Sequence, residues 1–313
     1  MVSVQVVLTQ MLSFFVLLCI GFIARKTGLL TEQALDGVGK FVVNLAIPAQ
    51  IVTMLPAAGD RSALLGAVPL LIAACIIFLF LYFLGRFIAG ICQVGGKTRE
   101  IQIAMTMFGN MGFMGIPLVA TLYGSSGLFY IAMYSLIDLA LLWTVGNVLA
   151  SGGHRNNGSF LWKIINPATI ALAIGVILLY NNVPTTSLFF QTLTGLGDTT
   201  PYLALVYIGG LLAQVSWGGI WKRPAIYVIV LLKMLLLPIG VYWVLSHWFT
   251  AYFSTTAISV ITLIVALPSM STLAIIAKNN KSDYGFAVDA LFVTTLFSLI
   301  TIPIVTWVTS ILG

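Results

Sequence analysis

The chain has 313 residues, of which 60% are hydrophobic and only 7% are charged, and its mean hydropathy is +1.10. These values exclude an ordinary soluble domain and indicate a polytopic membrane protein, with the lipid bilayer as its surroundings. The three cysteines, Cys19, Cys75 and Cys92, have no paired spacing, so we expect neither a disulfide framework nor a metal site.

Apolar stretches predict ten transmembrane helices, because a span needs roughly 20 apolar residues. The first stretch has no basic residue before Arg25 and no small-residue cleavage pattern, so we interpret it as a retained helix and not a signal peptide. Pro201 interrupts the seventh stretch. The predicted spans are about 4–24, 38–55, 63–91, 101–122, 127–150, 161–181, 199–216, 224–248, 256–277 and 284–311.

The basic residues are distributed unevenly between the two sides of these spans. Successive connections lie on opposite sides of the membrane. On this assignment one side receives a single basic residue, Arg61, and Lys233 lies inside a span. By the positive-inside rule the basic side is cytoplasmic, so both termini are expected outside, and the net charge of +6 requires no nucleic-acid partner. The cytoplasmic side carries 12 of the 14 basic residues: Arg25, Lys26, Lys40, Arg86, Lys97, Arg99, Arg155, Lys163, Lys222, Arg223, Lys278 and Lys281.

A polar stretch, SGGHRNNGS, divides the ten spans into two sets of five. We therefore predict a first five-helix repeat over residues 1–150, a cytoplasmic linker over 151–160 and a second repeat over 161–313. Because five is odd, the second set enters the membrane from the opposite face. That is the geometry of an inverted repeat in secondary transporters.

The fourth span of each half has the composition of a broken helix. The first contains GNMGFMGIPLV from Gly109 to Val119, and the second has Pro268 at its middle. Glycine and proline weaken a helix, and an interruption within a bilayer persists only where protein or a polar cavity satisfies the freed backbone groups. A kink in a packed helix is the alternative for Pro268 alone, but two interruptions in corresponding places favour a binding site.

Four motifs resemble the auxin efflux carrier family across essentially the whole chain. They are GNMGFMGIPL in the fourth span, ALPSMSTLAIIAKN in the ninth, NLAIPA from Asn44 to Ala49, and the closing YGFAVDALFVTTLFSLITIPI. The resemblance implies two inverted five-helix repeats, as in bile acid:sodium symporters, with two broken helices that cross at their prolines. Bacterial members include malate and malonate permeases. The long loop of the plant carriers is absent, which favours the plasma (inner) membrane of a prokaryote.

The crossing predicts an anion site, because helix N-termini present free N–H groups and about half a positive charge. Asn110 offers a donor and an acceptor beside the first break, although an interhelical hydrogen bond is its structural alternative. The resemblance supports Asn110, Pro117 and Pro268 most strongly. The remaining candidates for substrate binding are Gly112, Ser269, Ser271, Thr272, Asn44 and Lys233, with Gln50 and Gln214 as further polar positions.

Three ionisable residues lie within predicted spans: Asp138, Asp289 and Lys233. A charge at the bilayer centre costs about 2.5–3.5 kcal/mol even on the lenient insertion scale, so each is a functional hypothesis. The two acids occupy equivalent spans of the two halves and are candidates for coupling to H⁺ or Na⁺. Lys233 has two interpretations, either an ion pair with one acid or direct contact with a substrate carboxylate.

These features predict a secondary transporter of a small organic anion, in the first place a dicarboxylate such as malate, that works by alternating access. An auxin-like or other monocarboxylate carrier, an anion channel and a non-transport receptor or scaffold are the alternatives. No nucleophile and base are placed together, so we expect no enzyme, and we expect no cofactor beyond a coupling ion. Both a monomer and a homodimer stay open.

Overall fold

A computed structural model describes residues 4–58, 64, 66–153, 167–213 and 220–312, and these residues are helical with short connections. Four stretches have π-helical hydrogen bonding: π1 (Val42–Ala46), π2 (Met111–Gly115), π3 (Leu142–Gly146) and π4 (Val230–Leu236). The α-helices are α1 (Val4–Lys26), α2 (Glu32–Phe41), α3 (Ile47–Ala58), α4 (Val68–Ile91), α5 (Gly96–Met107), α6 (Ile116–Leu141), α7 (Asn147–Ala150), α8 (Pro167–Tyr180), α9 (Leu188–Gly197), α10 (Thr200–Leu212), α11 (Pro224–Ile229), α12 (Leu237–Trp248), α13 (Thr255–Ala266), α14 (Ser271–Asn279) and α15 (Tyr284–Leu312).

The helices confirm a polytopic membrane protein. Within the described residues, six helical stretches are long and apolar enough to cross a bilayer, and three more are shorter and apolar. The six are Val4–Lys26, Glu32–Ala57, Val68–Ile91, Ser126–Ala150, Pro224–Trp248 and Tyr284–Leu312, and the shorter ones are Met111–Gly124, Pro167–Tyr180 and Thr255–Ala266. The count of ten spans and their inverted repeat stay predictions.

The predicted fourth and ninth spans are each interrupted. The fourth consists of α5, a break and then π2 with the first part of α6, which kinks at Gly124, where φ is 59°. The ninth consists of α13, a break and α14. Helix α9, which precedes the seventh span, is an element that the hydropathy pattern did not predict.

Some sequence predictions lie outside the described residues. These are Arg61, residues 63 and 65 of the third span, the linker from residue 154 onward, the first six residues of the predicted sixth span, and residues 214–216 of the seventh, including Gln214.

Three connections lead into helices through a Ser or Thr cap. The hydroxyl oxygens of Thr31, Ser187 and Ser254 accept a hydrogen bond from the backbone N–H three residues later, at the starts of α2, α9 and α13. Such a cap pairs one of the N–H groups that the first turn of a helix leaves without an intrahelical partner. These helix starts follow directly from local sequence.

Glycines bring α1 and α10 into close contact. A Cβ on Gly21 would lie 2.0 Å from the carbonyl oxygen of Val206, and one on Gly209 would lie 2.1 Å from that of Leu18. No larger side chain fits either position. This is the small-residue contact expected where helices pack against each other inside a membrane.

The broken helices occupy the interior of the molecule. Seven consecutive residues of α5, Ile101–Met107, are buried on every side, and nine of the 12 residues of α13 are buried. By contrast, α1 and α4 expose large apolar side chains such as Leu12 (63%) and Ile76 (61%), as expected of helices facing lipid. The core of the fold is therefore built around the two interruptions.

The basic connections meet at one end of the molecule. Lys278 contacts Glu32 with a nitrogen–oxygen distance of 3.3 Å, and the hydroxyl of Thr98 donates to the carboxylate of Asp283 at 2.6 Å. The ammonium of Lys97 also reaches the carbonyl oxygen of residue 281, at 3.4 Å. The connections before α2, α5 and α15 therefore lie at the same end of the molecule. The assignment of alternate connections to one side of the membrane predicted this.

Candidate functional site

The two interrupted helices meet at their breaks, residues 108–110 and 267–270, which we call the bridge. The backbone N–H of Asn110 donates to the carbonyl of Pro268 at 2.8 Å, and the N–H of Met270 donates to the carbonyl of Phe108 at 3.1 Å. Each break therefore satisfies polar backbone groups of the other. In an interior without free water this pairing is what allows two interruptions to persist.

Small side chains permit this approach. Gly109 lies opposite Ser269 in an antiparallel β-bridge. A Cβ on Gly109 would come within 3.1 Å of the Cβ of Leu267 and within 3.2 Å of the carbonyl oxygen of Ile264. Contacts that short require Leu267 or the Ile264 carbonyl to shift slightly, so glycine suits the close packing at this position.

Ser269 has a structural partner on each side. Its hydroxyl donates to the carbonyl oxygen of Met105 in α5 at 2.8 Å. Its backbone N–H donates to the hydroxyl of Thr294 in α15 at 3.1 Å, and that hydroxyl in turn donates to the carbonyl of Ala290. Ser269 thus fastens the second break to two other helices, and it does not line the cavity described next.

The second halves of both broken helices begin at one cavity of about 70 Å³, which we call the amide pocket. Its wall includes Gly112 from π2 and Met270 beside the start of α14. The first turn of a helix carries unpaired N–H groups and about half a positive charge, so two such ends favour an anion. The polar side chains that line the pocket are Asn110, Ser135, Asp138, Trp143 and Thr272.

Two hydrogen-bond donors of the amide pocket have no acceptor among the described residues. They are Nδ2 of Asn110 and Nε1 of Trp143, both buried from solvent. Asn110 precedes π2, but its side chain makes no capping bond to that helix, and it is only 2% exposed. Because a buried donor without an acceptor costs about 1–3 kcal/mol, a ligand that accepts hydrogen bonds is the natural partner.

The first halves of the broken helices end at a second, smaller cavity of about 10 Å³, which we call the lysine cavity. It is lined by Met107 from the end of α5 and by Ile264 and Val265 from the end of α13. Lys233 from π4 enters it, is 1% exposed, and donates from Nζ to the carbonyl oxygen of Leu267. The ammonium therefore contacts the bridge at a helix C-terminus, where the dipole favours a cation.

Asp138 lies between the two cavities. Its side chain lines both the amide pocket and the lysine cavity and is 3% exposed. Lys233 and Asp138 therefore share the lysine cavity, which places an acidic and a basic side chain beside the bridge. The sequence identified both residues as intramembrane charges.

Pro117 does not lie at the crossing, where the resemblance placed it, and Asn44, a further candidate for substrate binding, does not line the amide pocket. The first break comes at residues 108–110, and Pro117 lies beyond π2, in the first turn of α6. Because proline has no N–H and is tolerated in a first turn, the helix continues through it. Asn44 is exposed, and its Nδ2 donates to the carbonyl of Lys40 at 2.9 Å, away from the amide pocket. Only Pro268 lies within a break.

Asp289 forms an ion pair outside both cavities. Its Oδ2 lies 3.2 Å from Nε of Arg223, whose guanidinium is placed over the ring of Phe286 with 5.4 Å to the ring centroid. Arg223 and Asp289 thus join the start of α11 to α15. Ser271 is buried at the start of α14, and its hydroxyl has no acceptor among the described residues, but it does not line the amide pocket.

The sequence did not identify Trp143, Ser135 or Arg223. Trp143 and Ser135 lie five residues after and three before Asp138 on the same helical stretch, so helical spacing from Asp138 was the available signal. The π-helical turns were not predicted either, although π2 and π3 line the amide pocket and π4 carries Lys233. Such turns are frequent at functional sites because they redirect side chains.

Comparison with known proteins gives a family match over nearly the whole chain. The model of a family described as membrane transport protein matches residues 6–157 and 155–306. An uncharacterized transporter of Methanothermobacter thermautotrophicus is 27% identical over 304 residues, covering 94% of this chain and 95% of the relative. An uncharacterized transporter of Methanocaldococcus jannaschii is 23% identical over 310 residues, covering 94% and 96%.

These matches agree with the architecture. Both relatives align over nearly their full length, so the similarity is not confined to the bridge. It confirms the auxin efflux carrier resemblance at the level of the family. A transport role also fits a buried pocket between two broken helices better than a catalytic one. The chain therefore belongs to the membrane transport protein family and is a multi-pass membrane transporter.

Proposed function

We propose that the protein is a secondary transporter of a small organic anion, in the first place a dicarboxylate such as malate, and that the amide pocket is its substrate site. The observation that carries the proposal is Nδ2 of Asn110, a buried donor without a partner among the described residues, placed where two helix N-termini meet. A substrate carboxylate supplies the acceptor that this donor lacks. Alternating access would expose the pocket to each side in turn.

The electrostatics of the pocket support an anion over a neutral solute. Two helix N-termini contribute about half a positive charge each, and Trp143 adds a second donor to that of Asn110. Asp138 carries the opposite sign, but Lys233 lies on its other side in the lysine cavity. A carboxylate that spans the two N-termini therefore meets a net favourable field.

The proposal includes the architecture and coupling that the sequence predicts. Ten helices would form two inverted repeats over residues 1–150 and 161–313, in the plasma membrane of a prokaryote with both termini outside. Coupling to H⁺ or Na⁺, or exchange of one anion for another, would drive transport. Asp138 is the acid best placed to couple, since it lines the substrate pocket while Asp289 is paired with Arg223.

The experiment that tests the proposal compares Asn110→Ala with Asn181→Ala in labelled malate uptake by proteoliposomes. Asn181 is an exposed asparagine whose Nδ2 bonds the carbonyl of Ile177, outside the pocket. We expect Asn110→Ala to abolish saturable uptake while changing the melting temperature little, because its Nδ2 has no partner to lose. Asn181→Ala should transport normally.

Each arm of the uptake experiment decides a different part of the proposal. Uptake is driven separately by a pH gradient, a Na⁺ gradient or internal unlabelled malate. Monocarboxylates are tested beside malate, because the pocket volume of about 70 Å³ suits a small acid. Counterflow that saturates distinguishes a carrier from a channel. Unchanged affinity in Asn110→Ala would remove the amide pocket as the substrate site.

A further inference from the structure

The helix ends at the bridge are distributed unequally between the two cavities. The C-terminal ends of α5 and α13 line the lysine cavity and the N-terminal end of α14 lines the amide pocket, while π2 begins between them, since Met111 lines both cavities. A helix C-terminus carries unpaired carbonyl groups and about half a negative charge. Two such ends beside Asp138 make the lysine cavity a place where a cation is stabilised. Among the described residues that line the lysine cavity, Lys233 is the one with a cationic side chain.

Lys233 already occupies this place. Its Nζ donates to the carbonyl oxygen of Leu267, the residue that follows α13 as its C-cap, and its side chain is 1% exposed. The remaining free volume is about 10 Å³. That is close to the minimum for a single water molecule, so a second cation with any hydration does not fit.

We propose that the ammonium of Lys233 is a fixed cation of the transporter, which takes the position at the two helix C-termini that a bound metal cation such as Na⁺ would otherwise fill. In this arrangement its charge offsets Asp138 and the two helix ends. The protein would then need no Na⁺ to complete the site. This inference deepens the proposed function, because it removes Na⁺ from the candidate coupling ions and leaves H⁺ or anion exchange.

The first test uses the unaltered protein in detergent and the metal ion alone. The melting temperature is measured in NaCl, KCl and choline chloride at equal ionic strength. We expect the same value in all three salts. A Na⁺ site would instead raise the melting temperature by about 5 °C once Na⁺ exceeds its Kd about a hundredfold. A saturable rise specific to Na⁺ would overturn the inference.

The second test removes the fixed cation. Lys233→Ala leaves Asp138 and the Leu267 carbonyl without it, so we expect a melting temperature several degrees lower that methylammonium or Na⁺ partly restores. Lys278→Ala is the matched control, since Lys278 lies near the C-terminus of α14 but is 43% exposed and pairs with Glu32. It should show no cation rescue. A Lys233→Ala protein that is as stable as the original, or that neither cation stabilises, contradicts the proposal.

The two proposals fail separately. If Lys233→Ala does not fold, the melting temperatures of the unaltered protein in the three salts still show whether it binds Na⁺. Uptake of malate that a Na⁺ gradient drives would overturn the fixed-cation inference and support the carrier. Absence of uptake for every anion tested, together with a melting temperature indifferent to Na⁺, would overturn the proposed function and leave the fixed cation standing.

Discussion

Buried polar side chains at the bridge differ in whether they have a hydrogen-bond partner in the protein. Those without a partner are available to a ligand. The hydroxyl of Ser269 bonds Met105, and the ammonium of Lys233 bonds Leu267, so both stabilise the fold. The amide nitrogen of Asn110 has no such partner among the described residues. A folded protein rarely leaves a buried donor unpaired. The unpaired amide nitrogen of Asn110 is therefore the clearest sign of a binding site at the scale of residues.

Trp143 provides a test at the same scale. Trp143→Phe keeps an aromatic side chain, although a smaller one, and removes the Nε1 donor of the amide pocket. A hydrogen bond to a charged group contributes about 1.5–3 kcal/mol, so we expect the half-saturating malate concentration to rise roughly tenfold or more. Stability should change little, and uptake kinetics in proteoliposomes measure the shift.

The control for this substitution is Trp243→Phe. Trp243 lies in α12, is 43% exposed and does not line the amide pocket, so its replacement should leave uptake affinity unchanged. An unchanged affinity in Trp143→Phe would mean that the indole does not contact the substrate. An equal loss in both variants would point to a general effect of losing tryptophan.

At the scale of elements, the bridge is the feature on which the other helices depend. It joins two helices that are more than 150 residues apart in sequence, through backbone bonds between Asn110 and Pro268 and between Met270 and Phe108. Such a contact has no local substitute, because each break pairs groups that its own helix cannot pair. The same geometry places the start of α14 at the amide pocket and the ends of α5 and α13 at the lysine cavity.

Gly109→Ala tests this contact. Its Cβ would lie 3.1 Å from Leu267 and 3.2 Å from the carbonyl oxygen of Ile264, so one of these neighbours must shift to accommodate it. We expect a loss of about 1–3 kcal/mol in the free energy of unfolding, typical of overpacking, together with loss of transport. Thermal unfolding in detergent and uptake in proteoliposomes measure the two effects.

Gly90→Ala is the matched control within a helix. A Cβ on Gly90 of α4 meets nothing within 4 Å. Alanine is the better helix former by about 0.5–1 kcal/mol, so this variant should be as stable as the original protein or slightly more stable. If Gly109→Ala behaved like Gly90→Ala, the close packing of the bridge would not limit stability.

At the scale of the whole molecule, the fold brings together connections that the distribution of basic residues assigns to one side of the membrane. The basic connections predicted on one side are brought together by contacts between Lys278 and Glu32 and between Thr98 and Asp283. On the other side, the hydroxyls of Tyr130 and Ser254 lie 2.9 Å apart, joining the fifth predicted span to the connection before α13. The two ends of the molecule are therefore distinct, and the positive-inside rule predicts which end is cytoplasmic.

Single-cysteine labelling of intact cells checks this orientation. In a background with Cys19, Cys75 and Cys92 replaced by serine, we expect a membrane-impermeant maleimide to label Ala251→Cys and not Lys222→Cys. Both positions are exposed, at opposite ends of the stretch from Pro224 to Trp248. Labelling of Lys222→Cys alone would reverse the orientation, and permeabilised cells, where both should react, provide the control.

The sequence by itself determined the features that depend on local composition. Long apolar stretches require membrane helices, because the bilayer leaves backbone groups no other partner. Glycine, proline and asparagine in two of these stretches indicated interruptions, and Asn110, Asp138 and Lys233 were identifiable as polar groups at membrane depth. Ser and Thr before helices, as at Ser254, likewise specified starts through side-chain caps.

Only the tertiary structure decided what these residues contact. It placed the first break at residues 108–110 and not at Pro117, turned Asn44 outward, paired Asp289 with Arg223, and brought Trp143 to the pocket. The reason is that these outcomes depend on long-range partners. Lys233 bonds a carbonyl 34 residues away, and Ser269 bonds one 164 residues away. No local pattern specifies such pairs, because the same buried side chain is satisfied equally well by any correctly placed acceptor.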